Sequence, residues 1–86
     1  MKIKKEYVWN TTEGETVLVA TGNSGFSGMV RGNRTLGVIL DLLKEDTTEE
    51  DIVSAMKQRF DASDEVIARD VKKAIDELRR IGAIDG

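Results

Sequence analysis

The sequence predicts an α+β fold of winged-helix type: an N-terminal three-stranded antiparallel meander followed by a three-helix bundle. Three observations carry this. Up to about residue 31, apolar and polar residues alternate in short runs broken by Gly- and Asn-bearing turns. Beyond Asn33 the apolar spacing changes to three and four. Each helical stretch opens on a side chain suited to cap it, and the chain has no proline to interrupt one.

The first strand is expected over residues 5–9, where "EYVW" sets Tyr7 and Trp9 on one face with Ile3 further back. "NTTEGE" then supplies a turn through Asn10, Thr11 and Gly14. "TVLVAT", β-branched and apolar, anchors a second strand over residues 15–21. "GNSG" (Gly22–Gly25) makes another turn. The third strand is placed over residues 26–31, "FSGMVR", with Phe26, Gly28 and Val30 on one side and Ser27, Met29 and Arg31 on the other. A sheet this small needs a helical layer over one face.

Helices are expected over residues 34–44, 48–59 and 64–81. Asn33 caps the first, which carries Leu36, Ile39, Leu40 and Leu43 at helical spacing. "TTEE" reads as a capping box, Thr47 as N-cap and Glu50 three residues on, opening a helix with Ile52, Val53, Met56 and Phe60 along one side. Ser63 caps the third, with Asp64 and Glu65 in its first turn and Arg79 and Arg80 in its last. Its stripe is Ile67, Val71, Ala74, Ile75, Leu78 and Ile81, and Gly82 stops it as a left-handed C-cap. The i,i+4 pairs Glu65–Arg69 and Asp76–Arg80 should add about 0.2–0.5 kcal/mol each.

Composition narrows the function. Eighty-six residues make one domain, 1–86, with a thin core. No apolar run is long enough to span a membrane and no secretory leader is visible, so a cytoplasmic location is expected. Without cysteine or histidine the chain lacks a thiolate nucleophile, a redox motif, the commonest general base and the commonest zinc ligand. "NSGFSG" is not G-x-S-x-G, and "SGMVRGNRT" is not a phosphate loop. No catalytic residue, metal or cofactor is expected, and the chain reads as a non-enzyme. Charge is uneven: five basic against three acidic side chains up to Thr35, eight against thirteen from Leu36 on, together the net −3. Neither half has the clustered basic face of a nucleic-acid binder.

The order and spacing of several stretches resemble one family. "GMVRGNRT" is similar to a strand running into an Asn-x-Thr helix cap, and "LLKEDTTEEDIVSAM" to an "LL…T-x-E-E-I" stretch. "FDASDEVIARDVKKAIDELRRIGAI" is similar to a "D-V-x-x-x-[LI]-x-x-L…G-[LI]-[LI]" ending, carried here by Asp70, Val71, Ile75, Leu78, Gly82, Ala83 and Ile84. The whole resembles the PqqD family of peptide chaperones, also described as precursor-peptide recognition elements. The chain departs from it at Gly32, where an apolar residue often precedes the capping Asn, and in "NRTL" for "N-E-T-G". Gly32 and Gly37 together remove a hydrophobic staple across the N-cap.

The resemblance implies binding of the leader segment of a ribosomally made precursor peptide, and its delivery to a modifying enzyme of the radical S-adenosylmethionine class. It further implies that the leader lies as an added strand beside the third strand, in a groove against the third helix. Strand addition uses unpaired backbone groups on a sheet edge, which such edges normally hide. The residues expected to carry it are Phe26, Ser27, Gly28, Met29, Val30 and Arg31, with Arg31 available to an acidic leader residue. The far wall is expected from Val66, Arg69, Asp70 and Lys73, one flank of the third helix at i, i+3, i+4 and i+7; the opposite flank, Ala68, Lys72, Ile75 and Arg79, is the other choice. Trp9 is read as a packing residue.

The main alternative is a winged-helix DNA-binding or regulatory module whose third helix enters a groove. Five basic and five acidic residues between Ser63 and Ile81 give it no net attraction to phosphate. A homodimer through the same sheet edge is the other alternative, and it would use up the peptide site.

Overall fold

The computed structural model describes residues 1–21 and 28–85. The predicted site residues Phe26 and Ser27 therefore lie outside the described residues. The chain begins with a two-residue strand, β1 (Lys2–Ile3), which pairs antiparallel with β5 (Ile84–Asp85) near its other end. Ile3 N–H donates to the Leu43 carbonyl at 2.9 Å, and Lys4 N–H to that of Ala83 at 2.9 Å. Ile3, expected to continue the face of Tyr7 and Trp9, belongs instead to this separate two-stranded sheet.

The meander is β2 (Tyr7–Thr12), β3 (Glu15–Ala20) and β4 (Met29–Asn33), in that spatial order. The first hairpin turns later than expected. Asn10 and Thr11 stay in the ladder, facing Val17 and Thr16, and only Glu13 and Gly14 form the turn. Both have positive φ, 52° and 79°, the conformation of a two-residue turn whose twist matches the flanking strands. β4 starts at Met29, with Gly28 just before it, and runs two residues past the predicted end, because Gly32 and Asn33 stay paired with Thr16 and Glu15.

Alternation divides the sheet cleanly. Tyr7, Thr16 and Leu18 are buried beneath the helices, and Val30, opposite Leu18, is half-buried on the same side. Val8, Val19 and Met29 form a row across all three strands on the outer face, with Asn10, Val17 and Arg31 beside it.

Helix α1 (Arg34–Leu42) packs on all three meander strands; α2 (Glu49–Arg59) and α3 (Asp64–Arg80) pack on each other and on α1. Asn33 and Ser63 cap as predicted, accepting from Leu36 N–H at 3.2 Å and Val66 N–H at 3.3 Å. The α2 cap is Thr48, one residue beyond the predicted Thr47; its hydroxyl accepts from Asp51 N–H at 3.1 Å. Thr47 is engaged elsewhere, its backbone holding Met1 through two hydrogen bonds of 2.8 and 2.7 Å. At the end of α3, Gly82 takes φ 77°, Gly82 N–H donates to Arg79 and Ala83 N–H to Leu78, which satisfies two terminal carbonyls.

Leu18, Leu40, Leu43, Val71, Ile75 and Leu78 are completely buried, with Ile39, Ile52 and Met56 close to it. Each such side chain contributes about 1.5–3 kcal/mol. The predicted pair Asp76–Arg80 is replaced by Glu77–Arg80 and Lys72–Asp76, and among the described residues Glu65 and Arg69 form no ion pair. Among the described residues no helix is long and apolar enough to cross a membrane.

Candidate functional site

Among the described residues β4 pairs with β3 alone, so its other edge carries backbone groups without a strand partner. In an antiparallel strand alternate residues turn both N–H and C=O to that side. Beyond this edge a groove of about 280 Å³ runs between β4 and α3. Val30, Leu36, Ile39, Ala74 and Leu78 supply its apolar surfaces, and Arg31, Asp70, Lys73 and Glu77 stand among the polar residues lining it. Asn33 and Thr35 lie where β4 passes into α1.

The floor depends on a missing side chain. A Cβ at Gly32 would sit 2.6 Å from Leu36 Cδ2, so Leu36 lies across the glycine instead of standing into the groove. Leu36 is the third residue of α1, placed there by the Asn33 cap. The pairing of a small residue before the cap with a leucine after it takes the place of the absent staple.

The polar groups are not equivalent. Arg80 donates twice to the Glu77 carboxylate, at 3.0 and 2.5 Å, and this holds the Glu77 carboxyl below its usual range. Asp70, Lys73 and Arg31 form no ion pair among the described residues. Among the described residues the groove thus leaves Asp70 and Lys73 without an ion pair beside the Arg80-bound Glu77 carboxylate, and Arg31 stands likewise on the β4 strand that borders it. Among the described residues no cluster of carboxylates suits a metal ion.

Of the predicted site residues, Val30, Arg31, Asp70 and Lys73 line this groove together. Val66 lines a smaller hollow that continues from it, sharing Thr35 and Asp70. Arg69 does not reach it: it lies on the outer side of α3 with Lys72, Asp76 and Arg80. The helix flank facing β4 is Asp70, Lys73, Ala74 and Glu77, the expected spacing of 0, 3, 4 and 7 moved one turn toward the C-terminus. Met29, 55 % exposed, faces out from the opposite side of the sheet, and Gly28 is exposed just before the strand. Sequence reasoning missed Gly32, Leu36, Ala74 and Glu77. Extending the Val66–Asp70 spacing by one turn reaches Ala74, and the Asn33 cap fixes where Leu36 falls.

The family model described as coenzyme PQQ synthesis protein D (PqqD) matches residues 7–84. The chain belongs to the PqqD family. The matched span begins at the first residue of β2 and contains the whole of the groove. The PqqD fold is also that of the solved structure of TbiB1 in complex with the TbiA(beta) leader peptide, at a TM-score of 0.70 and 24 % identity, covering 99 % of this chain and 100 % of that one. None of the curated proteins matches.

The other edge of this PqqD-family sheet, at β2, is furnished differently. Trp9 is half-buried there, its indole N–H donating to Asp41 at 2.9 Å, with Lys44 Nζ 5.5 Å from the ring centre. Tyr7 is buried and its hydroxyl donates to the Ile81 carbonyl at 3.2 Å. Both aromatics fasten the sheet to the helices, which agrees with the packing role read for Trp9.

Proposed function

We propose that this PqqD-family chain is a non-catalytic peptide chaperone. It binds the leader segment of a ribosomally synthesised precursor by strand addition at β4 and presents it to a separate modifying enzyme of the radical S-adenosylmethionine class. The observation that carries this reading is the unpaired edge of β4 facing α3 across an apolar-floored groove. An edge of this kind supplies main-chain hydrogen bonds, and the floor takes alternate side chains of the added strand. Family membership supports the reading, as does the common fold with TbiB1, which was solved with a leader peptide.

The chemistry at hand is recognition. The groove offers backbone groups, an apolar floor and the charged residues Arg31, Asp70, Lys73 and Glu77 along its lining. Affinity comes from main-chain pairing and from burial on Val30 and Leu36, half-buried apolar residues of the lining. Ordering the leader offsets roughly 2–5 kcal/mol of this, so a dissociation constant on the order of micromolar is expected.

The test is a titration of isotope-labelled protein with the leader of the precursor encoded nearest to it. Shift changes confined to Met29–Asn33 and to the Asp70–Glu77 flank support strand addition. Saturable binding with changes on α2 or at the β2 edge contradicts the site, and no response to any leader contradicts the function.

A further inference from the structure

The register of β4 assigns more than a place to the guest; it assigns part of the guest's sequence. Met29, Val30 and Arg31 face alternately out, in and out. Their β3 partners show it: Val19 and Val17 are half-exposed on the outer face, whereas Leu18, opposite Val30, is completely buried. An added strand must repeat this alternation. The guest residue beside Val30 therefore points into the groove, over Leu36 and Ile39, while its two neighbours lie on the outer face beside Met29 and Arg31.

The outer positions are chemically distinct. Met29 ends a row of apolar side chains, Val8, Val19 and Met29, whose outer members are 46 % and 55 % exposed. A fourth strand would lengthen that row by one residue and cover the flank of Met29. Arg31 stands next to it, exposed and without an ion pair among the described residues. Directly opposed residues on neighbouring strands interact, opposite charges favourably and like charges unfavourably.

Resting on the strand-addition reading, we propose that the guest carries a three-residue sequence, acidic–apolar–apolar from N- to C-terminus. The acid lies beside Arg31, the first apolar residue in the groove beside Val30, and the second on the outer face beside Met29. The order follows from antiparallel addition, which continues the pattern of the sheet and gives the more stable ladder. Arg31 is then a specificity-determining residue whose side chain acts from the outer face of the sheet.

The experiment selects binders from a random displayed peptide library on the wild-type protein and on Arg31→Glu. The best wild-type peptide and its Asp/Glu→Lys variant are then measured against both proteins by fluorescence anisotropy. Wild-type protein should enrich the acidic–apolar–apolar triplet, and Arg31→Glu should enrich a basic residue at the first position. The charge swap in the peptide should cost about threefold to fivefold on wild-type protein and be recovered on Arg31→Glu. The peptide swap leaves the protein untouched, so a folding defect cannot imitate the result. Binding peptides without an acid at that position, or affinities indifferent to the swap, overturn this inference while leaving strand addition standing. Failure to select any peptide, or contacts away from β4 in the selected complexes, overturns both.

Discussion

Leu36 occupies the space a side chain at Gly32 would need: a Cβ there would come within 2.6 Å of its Cδ2 atom and 3.0 Å of its Cβ. The terminal methyl can swing aside, and the groove that Leu36 lines is open to it. Gly32→Ala should therefore leave stability within about 1 kcal/mol. Displacing Leu36 from its rotamer costs about 0.5–1.5 kcal/mol, and loss of glycine's unfolded-state freedom offsets about 0.4–1. Peptide affinity, in contrast, should fall severalfold as the displaced Leu36 rises from the floor into the groove. Denaturant unfolding and an anisotropy titration on the same sample separate the two effects.

Gly37 is a different case, because a side chain there would meet two hydroxyls of the hairpin, one of them buried. A Cβ would collide with Thr11 Oγ1 and approach Thr16 Oγ1 to 2.7 Å, and these hydroxyls are hydrogen-bonded to each other at 2.8 Å. Thr16 is completely buried. Gly37→Ala must push α1 off the hairpin or break that pair, so it should destabilise by about 2–4 kcal/mol, combining overpacking with an unsatisfied buried hydroxyl. Urea unfolding with an unchanged m-value is the measurement.

Trp9 lies at the β2 edge, opposite the groove. Trp9→Phe removes the bond to Asp41 and weakens the contact with Lys44, and should lower stability by about 1 kcal/mol with peptide affinity unchanged. Since this is the chain's single tryptophan, its fluorescence should follow unfolding while staying nearly flat through a peptide titration.

Glu77 should titrate below its ordinary value of 4.5, because Arg80 binds its charged form. A carboxyl with a lowered folded-state value adds stability above the ordinary carboxylate range and loses that contribution as pH falls through the lowered value. Arg80→Ala should return the Glu77 titration toward 4.5, read from side-chain carboxyl shifts by NMR. The groove keeps this negative charge through mildly acidic pH in the wild-type protein.

Much of this molecule was legible in its sequence wherever a periodic pattern ran long enough. The stripe Ile67–Val71–Ile75–Leu78 and the caps Asn33 and Ser63 stand where they were read. The two-residue pair β1–β5 was not legible, since two residues carry no period and their pairing joins opposite ends of the chain. The β2–β3 turn was misplaced because Asn10 and Thr11 are turn formers by composition, yet pair with Val17 and Thr16 once the sheet forms. Of the flank expected from helical spacing, Asp70 and Lys73 line the groove, but the lining set lies one turn further along, which leaves Arg69 outside and brings Ala74 and Glu77 in. Rotation about the helix axis is set by packing of the buried stripe, which spacing alone leaves free by tens of degrees.

Amide hydrogen exchange of β4 in the presence of a saturating leader peptide, read together with intermolecular backbone NOEs, addresses strand addition most directly. The account predicts that outward-turned amides within Met29–Asn33 become protected and that backbone protons of this segment show cross-strand contacts to the peptide. Saturable binding with β4 exchange unchanged, and with no backbone contact between peptide and β4, would contradict it.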